Sequence, residues 1–215
     1  MKYINKKKEP KSLTEYRMEE GAVYDGSGFK NVKIDIKMQL LIEQGYLCAY
    51  CMQRIDFNNM KVEHFLCQSK YSDEQLNYMN LLGCCLGGES NIKRNQTCDT
   101  RKGALDVLFS PAISSHNIEI KLKYNTLSGK IESEDKVFNE QLQCVLNLND
   151  HRLISNRKNS LIAVENILGN KSGCRTKGQI QNIINSYEKV DGDNKFKEYY
   201  GIVLFYLKKK LSKIK

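Results

Sequence analysis

Leu47-Cys48-Ala49-Tyr50-Cys51, Lys61-Val62-Glu63-His64-Phe65, Asn80-Leu81-Leu82-Gly83-Cys84-Cys85 and Cys98-Asp99-Thr100-Arg101-Lys102-Gly103 are the four pieces of this 215-residue chain that decide its fold class. Cys48 and Cys51 form a CxxC knuckle, and two thiolates at that spacing can bind one tetrahedral metal from a tight turn. A redox pair shares the spacing but expects a βαβ setting with the pair opening a helix. Here the pair follows a helical stretch and precedes a strand-like one. A metal reading therefore needs two more ligands, and Cys67, Cys84, Cys85 and Cys98 are the candidates. Cys98 opens a polar run able to begin a helix. The fourth ligand is Cys84 or Cys85, which both follow the apolar Leu81-Leu82. Their adjacent side chains diverge, so one ligates and the other is buried. We take the set as Cys48, Cys51, Cys85 and Cys98 around a structural Zn²⁺, with Gly87-Gly88 in the loop between the last two.

Between the two cysteine pairs stands Glu63-His64, in a segment of strand character. Adjacent strand residues point to opposite faces, so the two need a bend to serve one site. Cleaving a phosphodiester requires a base for water, a divalent ion for the charge on the leaving oxygen, and hard oxygen ligands for that ion. Glu63, His64 and Asp99 can supply this set. The cations nearest to it are Arg94, Arg101 and Lys102, the expected nucleic-acid contacts.

Outward from this centre, apolar positions over residues 32–44 predict a helix stopped by Gly45. Ser72-Asp73-Glu74-Gln75 predicts a capping box opening a short helix that ends near Asn80. The alternation Ile118, Ile120, Leu122, Tyr124 before Ser128-Gly129 predicts a hairpin over residues 117–133. Three apolar stripes of helical period follow, one from Leu153 to Leu168, one from Ile180 to Val190 and one from Phe196 to Ile214. Residues 1–31 are polar and irregular and read as an arm. Cys67, Cys144 and Cys174 receive no role.

Charge adds a second layer. The chain carries a formal net charge of +9. Residues 1–150 hold 20 Lys and Arg against 20 Asp and Glu, and residues 151–215 hold 14 against 5, so the whole excess lies in the helical tail. A basic balance points to a polyanionic partner such as nucleic acid, with solvated lysines as the alternative. No apolar run reaches membrane-spanning length, and the basic Met1–Lys8 stretch lacks the apolar core of a signal peptide. The eight cysteines are then expected in a reducing, cytoplasmic setting, where metal ligation or burial outranks disulfides.

The order Cys48-x-x-Cys51, Glu63-His64, Asn80-Leu81-Leu82, Cys85, Cys98-Asp99-x-x-Lys102-Gly103 resembles an HNH nuclease of the ββα-metal type. That resemblance implies Glu63 and Asp99 as ligands of Mg²⁺ (or Mn²⁺), His64 as general base, Asn80 as the residue orienting finger and base, and Lys102 on the helix where a phosphate passes. The chain departs from the pattern at Glu63, where Asp is commoner, at Asp99, where Asn or His is usual, and in the insertion that splits the last cysteine pair. Met1-Lys2-Tyr3-Ile4, Glu9-Pro10-Lys11-Ser12-Leu13 and Leu146-Asn147-Leu148-Asn149 with Arg157 extend the likeness to PtuB, the HNH subunit family of Septu anti-phage systems, also found beside retrons. This likeness implies an ABC/SMC-like ATPase partner (PtuA-like) and a role in defence by cleaving nucleic acid, and residues 1–31, too polar to fold alone, are expected to order on that partner.

The expected fold is α+β: a zinc-braced ββα-metal core over residues 46–110, an N-terminal arm and helix over 1–45, and a hairpin with a basic helical region over 111–215. The expected function is metal-dependent hydrolysis of DNA in anti-phage defence. The competing readings are a non-catalytic zinc module that binds nucleic acid or protein, and a thiol redox protein using Cys48 and Cys51.

Overall fold

The structure, a computed structural model, describes residues 1–169 and 175–214, so Cys174 and Lys215 lie outside the described residues. The chain is α+β. Helices α1 (Lys11–Tyr16) and α2 (Phe29–Glu43) lead into strand β1 (Met60–His64), strand β2 (Leu81–Cys85) and helix α3 (Cys98–Lys102). Next come α4 (Ile118–Lys121), the strand pair β3 (Lys123–Tyr124) and β4 (Ile131–Glu132), and α5 (Lys136–Glu140), which widens into a π-helical turn over Gln141–Val145. Helices α6 (His151–Gly169), α7 (Lys177–Glu188) and α8 (Tyr200–Leu211) close the chain. Among the described residues, no helix is long and apolar enough to cross a membrane.

Helix α2 forms where the stripe predicted it. Val32, Ile36, Leu40 and Leu41 are buried, and each such side chain contributes roughly 1.5–3 kcal/mol by leaving water. The chain then turns at Gly45, whose φ of +55° suits glycine. Strands β1 and β2 pair antiparallel, with Glu63 opposite Leu82 and His64 opposite Leu81, and α3 packs on β2. The order β1–β2–α3 is thus present, on very short elements. Buried Gln44 ties them to α2: its Nε2 donates to the carbonyls of Leu47 and Gly83, and its Oε1 accepts from the Gly83 amide. A Cβ at Gly83 would press on that amide group at 3.1 Å.

Three expectations change. Residues 1–31 are no loose arm: Met1, Ile4, Leu13, Tyr16 and Phe29 are all buried in the main core. Sparse apolar residues suffice because they converge on α2 and the finger. The hairpin is shorter than its alternation suggested, since residues 118–121 are helical, Ile120 is exposed, and only two residues per strand pair. Ser72–Glu74 and Tyr78–Asn80 form two 3₁₀ turns, and no side chain caps the first. Asn77 caps the second by accepting from the Met79 amide.

The C-terminal helices bury a second apolar cluster through Leu161, Val164, Ile180, Ile184, Tyr200, Ile202, Val203 and Leu207. This cluster includes Leu47 and Met52, the residues flanking the knuckle, so the helices support the finger from behind. The Tyr199 amide donates to the Met52 carbonyl at 3.1 Å, and the Phe196 amide to that of Gly45 at 3.0 Å. Buried Arg157 on α6 latches the β3–β4 turn by donating to the carbonyls of Gly129 and Leu148.

Candidate active site and metal centre

The knuckle is built from backbone bonds. The Met52 amide donates to the Cys48 carbonyl, the Cys48 amide to Gln53, and the Ala49 amide to Gly83 of β2. Across the strand pair, Cys85 ends β2 opposite Met60, and the Cys98 amide donates to the Leu146 carbonyl at 2.9 Å. The ligand atoms of Cys48, Cys51, Cys85 and Cys98 all lie within 4.8 Å of one another, and all four residues are buried. Register therefore decides between the adjacent cysteines: Cys85 joins the cluster and Cys84 is buried beside it. Sulfurs at about 2.3 Å from a tetrahedral zinc sit about 3.8 Å apart. Cys51 and Cys85 have their Sγ atoms 3.8 Å apart.

The protonation energetics also favour a cation in this cluster. The neighbouring thiols push Cys51 and Cys98 well up, Cys48 foremost, and burial adds to it. At Cys48 burial acts upward, yet the surrounding thiols donate to it and hold it well below its ordinary value. A tetrahedral metal in this cluster would bind the thiols as thiolates and relieve that competition.

The second centre lies on β1 and α3. Glu63 is buried, and its Oε1 accepts from the Tyr50 hydroxyl at 3.0 Å and from the Lys102 ammonium at 2.8 Å. Burial raises the Glu63 pKa well above the carboxylate range, the adjoining Asp99 carboxyl raises it further, and Lys102 acts in the opposite direction. Two hard carboxylates, Glu63 buried and Asp99 half-buried, form a donor set that suits a divalent cation. Oε1 takes both hydrogen bonds, which leaves Oε2 of Glu63 for such an ion.

His64 is the last residue of β1, and the chain bends directly after it. The bend the sequence called for lies just past the pair, and the two side chains stay apart. Glu63 faces Tyr50 and Lys102, while His64 Nε2 lies 3.0 Å from the Gln75 carbonyl. That carbonyl can only accept, so Nε2 carries the proton and Nδ1 is the basic nitrogen. Burial lowers the His64 pKa below its ordinary 6.5, outweighing the Gln75 carbonyl and the Asp99 charge. Lys102 links the two faces, since its ammonium also donates to the His64 carbonyl at 3.2 Å.

Asn80 is buried and uses its whole amide. Its Oδ1 accepts from the Leu66 amide at 2.7 Å, and its Nδ2 donates to the carbonyls of Leu66 and Glu74. It closes the loop between β1 and β2, the loop that also carries Gln75.

The basic residues fare differently from the sequence reading. Lys102 is only 1% exposed, so its ammonium serves Glu63 and presents nothing to a phosphate on the surface. Helix geometry turns it inward, because α3 leans on β2 along the side that carries it. Arg101 spends its guanidinium on the carbonyls of Cys144 and Lys93. Arg94 stays exposed on the loop before α3.

No family model matches the chain. It is 33% identical over 120 residues to an Escherichia coli protein named "Retron Ec83 putative HNH endonuclease", covering 47% of this chain and 46% of that protein. It is 31% identical over 101 residues to Septu protein PtuB of Bacillus thuringiensis, covering 44% of this chain and 35% of that protein. The chain is thus similar, over less than half of its own length, to a putative HNH endonuclease and to a Septu PtuB protein. It spans less than half the length of either of these proteins.

Three residues of the site escaped the sequence reading: Tyr50, Gln75 and Tyr24. Tyr50 stood in plain view inside the knuckle, but CxxC spacing specifies nothing about its intervening residues. Gln75 acts through its backbone carbonyl, which no side-chain pattern reveals. Tyr24 comes from the supposed arm, and its ring meets the His64 ring edge-on at 4.4 Å.

Proposed function

We propose that this protein is a metal-dependent HNH endonuclease that hydrolyses DNA phosphodiester bonds. The observation that carries the reading is the state of His64. Its Nε2 is tied to the Gln75 carbonyl while burial keeps the ring neutral, so Nδ1 is ready to take a proton from water. Asn80 holds the loop that bears that carbonyl. Glu63 and Asp99 would hold Mg²⁺, or Mn²⁺ in its place. Such an ion, when bound, supplies positive charge to the leaving 3′-oxygen. Tyr50 and Lys102 hold Glu63 from behind, and Cys48, Cys51, Cys85 and Cys98 would hold a structural Zn²⁺ that braces the strands and α3.

The likeness to Septu PtuB supports a place in anti-phage defence, beside an ATPase of the ABC/SMC class (PtuA-like) in the cytoplasm. The exposed lysines near the end of α8 are available to DNA or to an acidic face of that partner. Replacing the base tests the reading. His64→Ala should lower Mg²⁺-dependent plasmid nicking by a factor of about 10²–10⁴ with metal content and circular dichroism intact. Nicking at the parent rate would remove His64 from the mechanism.

A further inference from the structure

The catalytic face of His64 is covered. His64 is 7% exposed, Glu63 4% and Lys102 1%. The adjoining groove, of about 510 Å³, is lined by Phe65, Leu66 and Asn80 but not by His64. The cover is Tyr24, whose ring lies 4.4 Å from the imidazole at 84° and 4.6 Å from the Phe29 ring.

The segment that carries Tyr24 is tied mainly to the N-terminal region, where the Tyr16 hydroxyl donates to the Val23 carbonyl at 2.9 Å and Lys33 pairs with Asp25 at 2.8 Å. Gly21 and Gly28 bound it with φ of +72° and +78°, and Gly21 has open space around the place of a Cβ. Val23, Asp25, Ser27 and Gly28 are exposed. Its tie to the finger is one bond, from the Tyr24 amide to Gln75 Oε1 at 3.0 Å. The backbone carbonyl of that same residue orients His64. The Tyr24 hydroxyl is enclosed and finds no hydrogen-bond partner among the described residues, which disfavours the closed position relative to one where water reaches it.

We infer that residues 22–28 form a gate over His64, closed by the Tyr24 ring and anchored by Gln75, and that a phosphodiester reaches the imidazole only when Tyr24 swings out. Glycines at both ends, one side-chain bond to the loop that orients His64 and an enclosed hydroxyl that gains a partner on opening let Tyr24 leave the imidazole while the ties to Tyr16 and Lys33 keep the segment on the N-terminal region. The inference rests on the reading of His64 as the base. It adds that the free chain is predominantly closed.

The test is the rate at which diethylpyrocarbonate modifies each histidine of the full chain, resolved by mass spectrometry. His151, whose side chain is 81% exposed, is the internal reference. In the parent protein His64 should react far more slowly than His151. Tyr24→Ala should raise the His64 rate at least about tenfold and leave His151 unchanged, whereas Tyr24→Phe should keep His64 protected. Gln75→Ala retains the carbonyl that orients His64 and removes only the anchor, so it should raise the rate by a smaller factor without threatening the fold. Equal rates for His64 and His151 in the parent protein overturn the gate. So does a His64 rate unmoved by Gln75→Ala and by a folded Tyr24→Ala. The nicking activity of His64→Ala is a separate readout: full nicking there removes the base assignment, while the modification rates still report the cover.

Discussion

Between Met60 and Lys102 the protein buries Glu63, His64, Asn80, Thr97 and Lys102, whereas between Lys177 and Leu211 every buried residue is apolar or aromatic. The first region, on five-residue strands and a five-residue helix, sets these polar groups among buried Met60, Phe65, Leu76, Tyr78, Leu81 and Leu82. It is held by polar groups that satisfy one another and by four clustered sulfurs. The second is two amphipathic helices packed on a third, with lysines in water. The contrast teaches that chemistry and stability are divided here. The finger places charges inside an apolar core, where burial makes them potent, and the helices add a purely apolar cluster that reaches it through Leu47 and Met52.

That division can be broken most forcefully at the sulfurs. Structural zinc in small fingers is worth about 10–16 kcal/mol of apparent binding energy, expressed as folding energy. Cys98→Ser, or a strong chelator, should therefore unfold residues 46–110 and leave α6–α8 largely helical. Hydrogen exchange resolved by peptide checks this, together with one zinc per chain by atomic absorption. Uniform loss of protection across both regions would erase the distinction.

Next in size is the buried ion pair. Removing Lys102 strips the buried Glu63 carboxyl of its cation and drives it to take up a proton, so Lys102→Met should cost about 3–5 kcal/mol in urea unfolding, less as the pH falls. The matching change in the helical region, Lys208→Met, breaks an exposed pair with Glu188 at 2.8 Å and should cost about 0–1 kcal/mol. Equal costs would deny that burial separates the two regions.

Ile184→Ala in the helical core should cost about 2–5 kcal/mol while the metal content stays unchanged. The smallest effect concerns pH. Burial lowers the folded-state pKa of His64, so the unfolded chain takes up its proton first. The neutral ring therefore carries no penalty above about pH 6.5, and stability falls as pH drops below that value toward the folded pKa. Titrating the His64 ring by NMR should give a midpoint below 6.5. A midpoint at or above it would mean that the ring is solvated and the gate open.

Much of this was legible in the sequence because it is local. Periodicity placed α2 and α6–α8, since each helix reports its own buried stripe. CxxC spacing, the Glu63-His64 pair and Cys98 at a helix start placed the pieces of the finger in order. The hairpin misled at residues 118–121, because four alternating residues fit a strand while the left-handed Asn117 ahead of them admits a helical turn. Residues 1–31 misled because their apolar residues have no period, and only distant partners reveal that they are core.

What the sequence determined by itself is the inventory: four thiols, two carboxylates, one histidine and the helices behind them. Tertiary structure decided the choices among near-equivalents. The β1–β2 register brought Cys85 rather than Cys84 into the cluster. The lean of α3 on β2 turned Lys102 from an expected phosphate contact into a partner of Glu63. The fold of the N-terminal segment set Tyr24 against His64. Each choice depends on residues tens of positions apart meeting at hydrogen-bond or van der Waals distance, and a local pattern carries no information about such meetings.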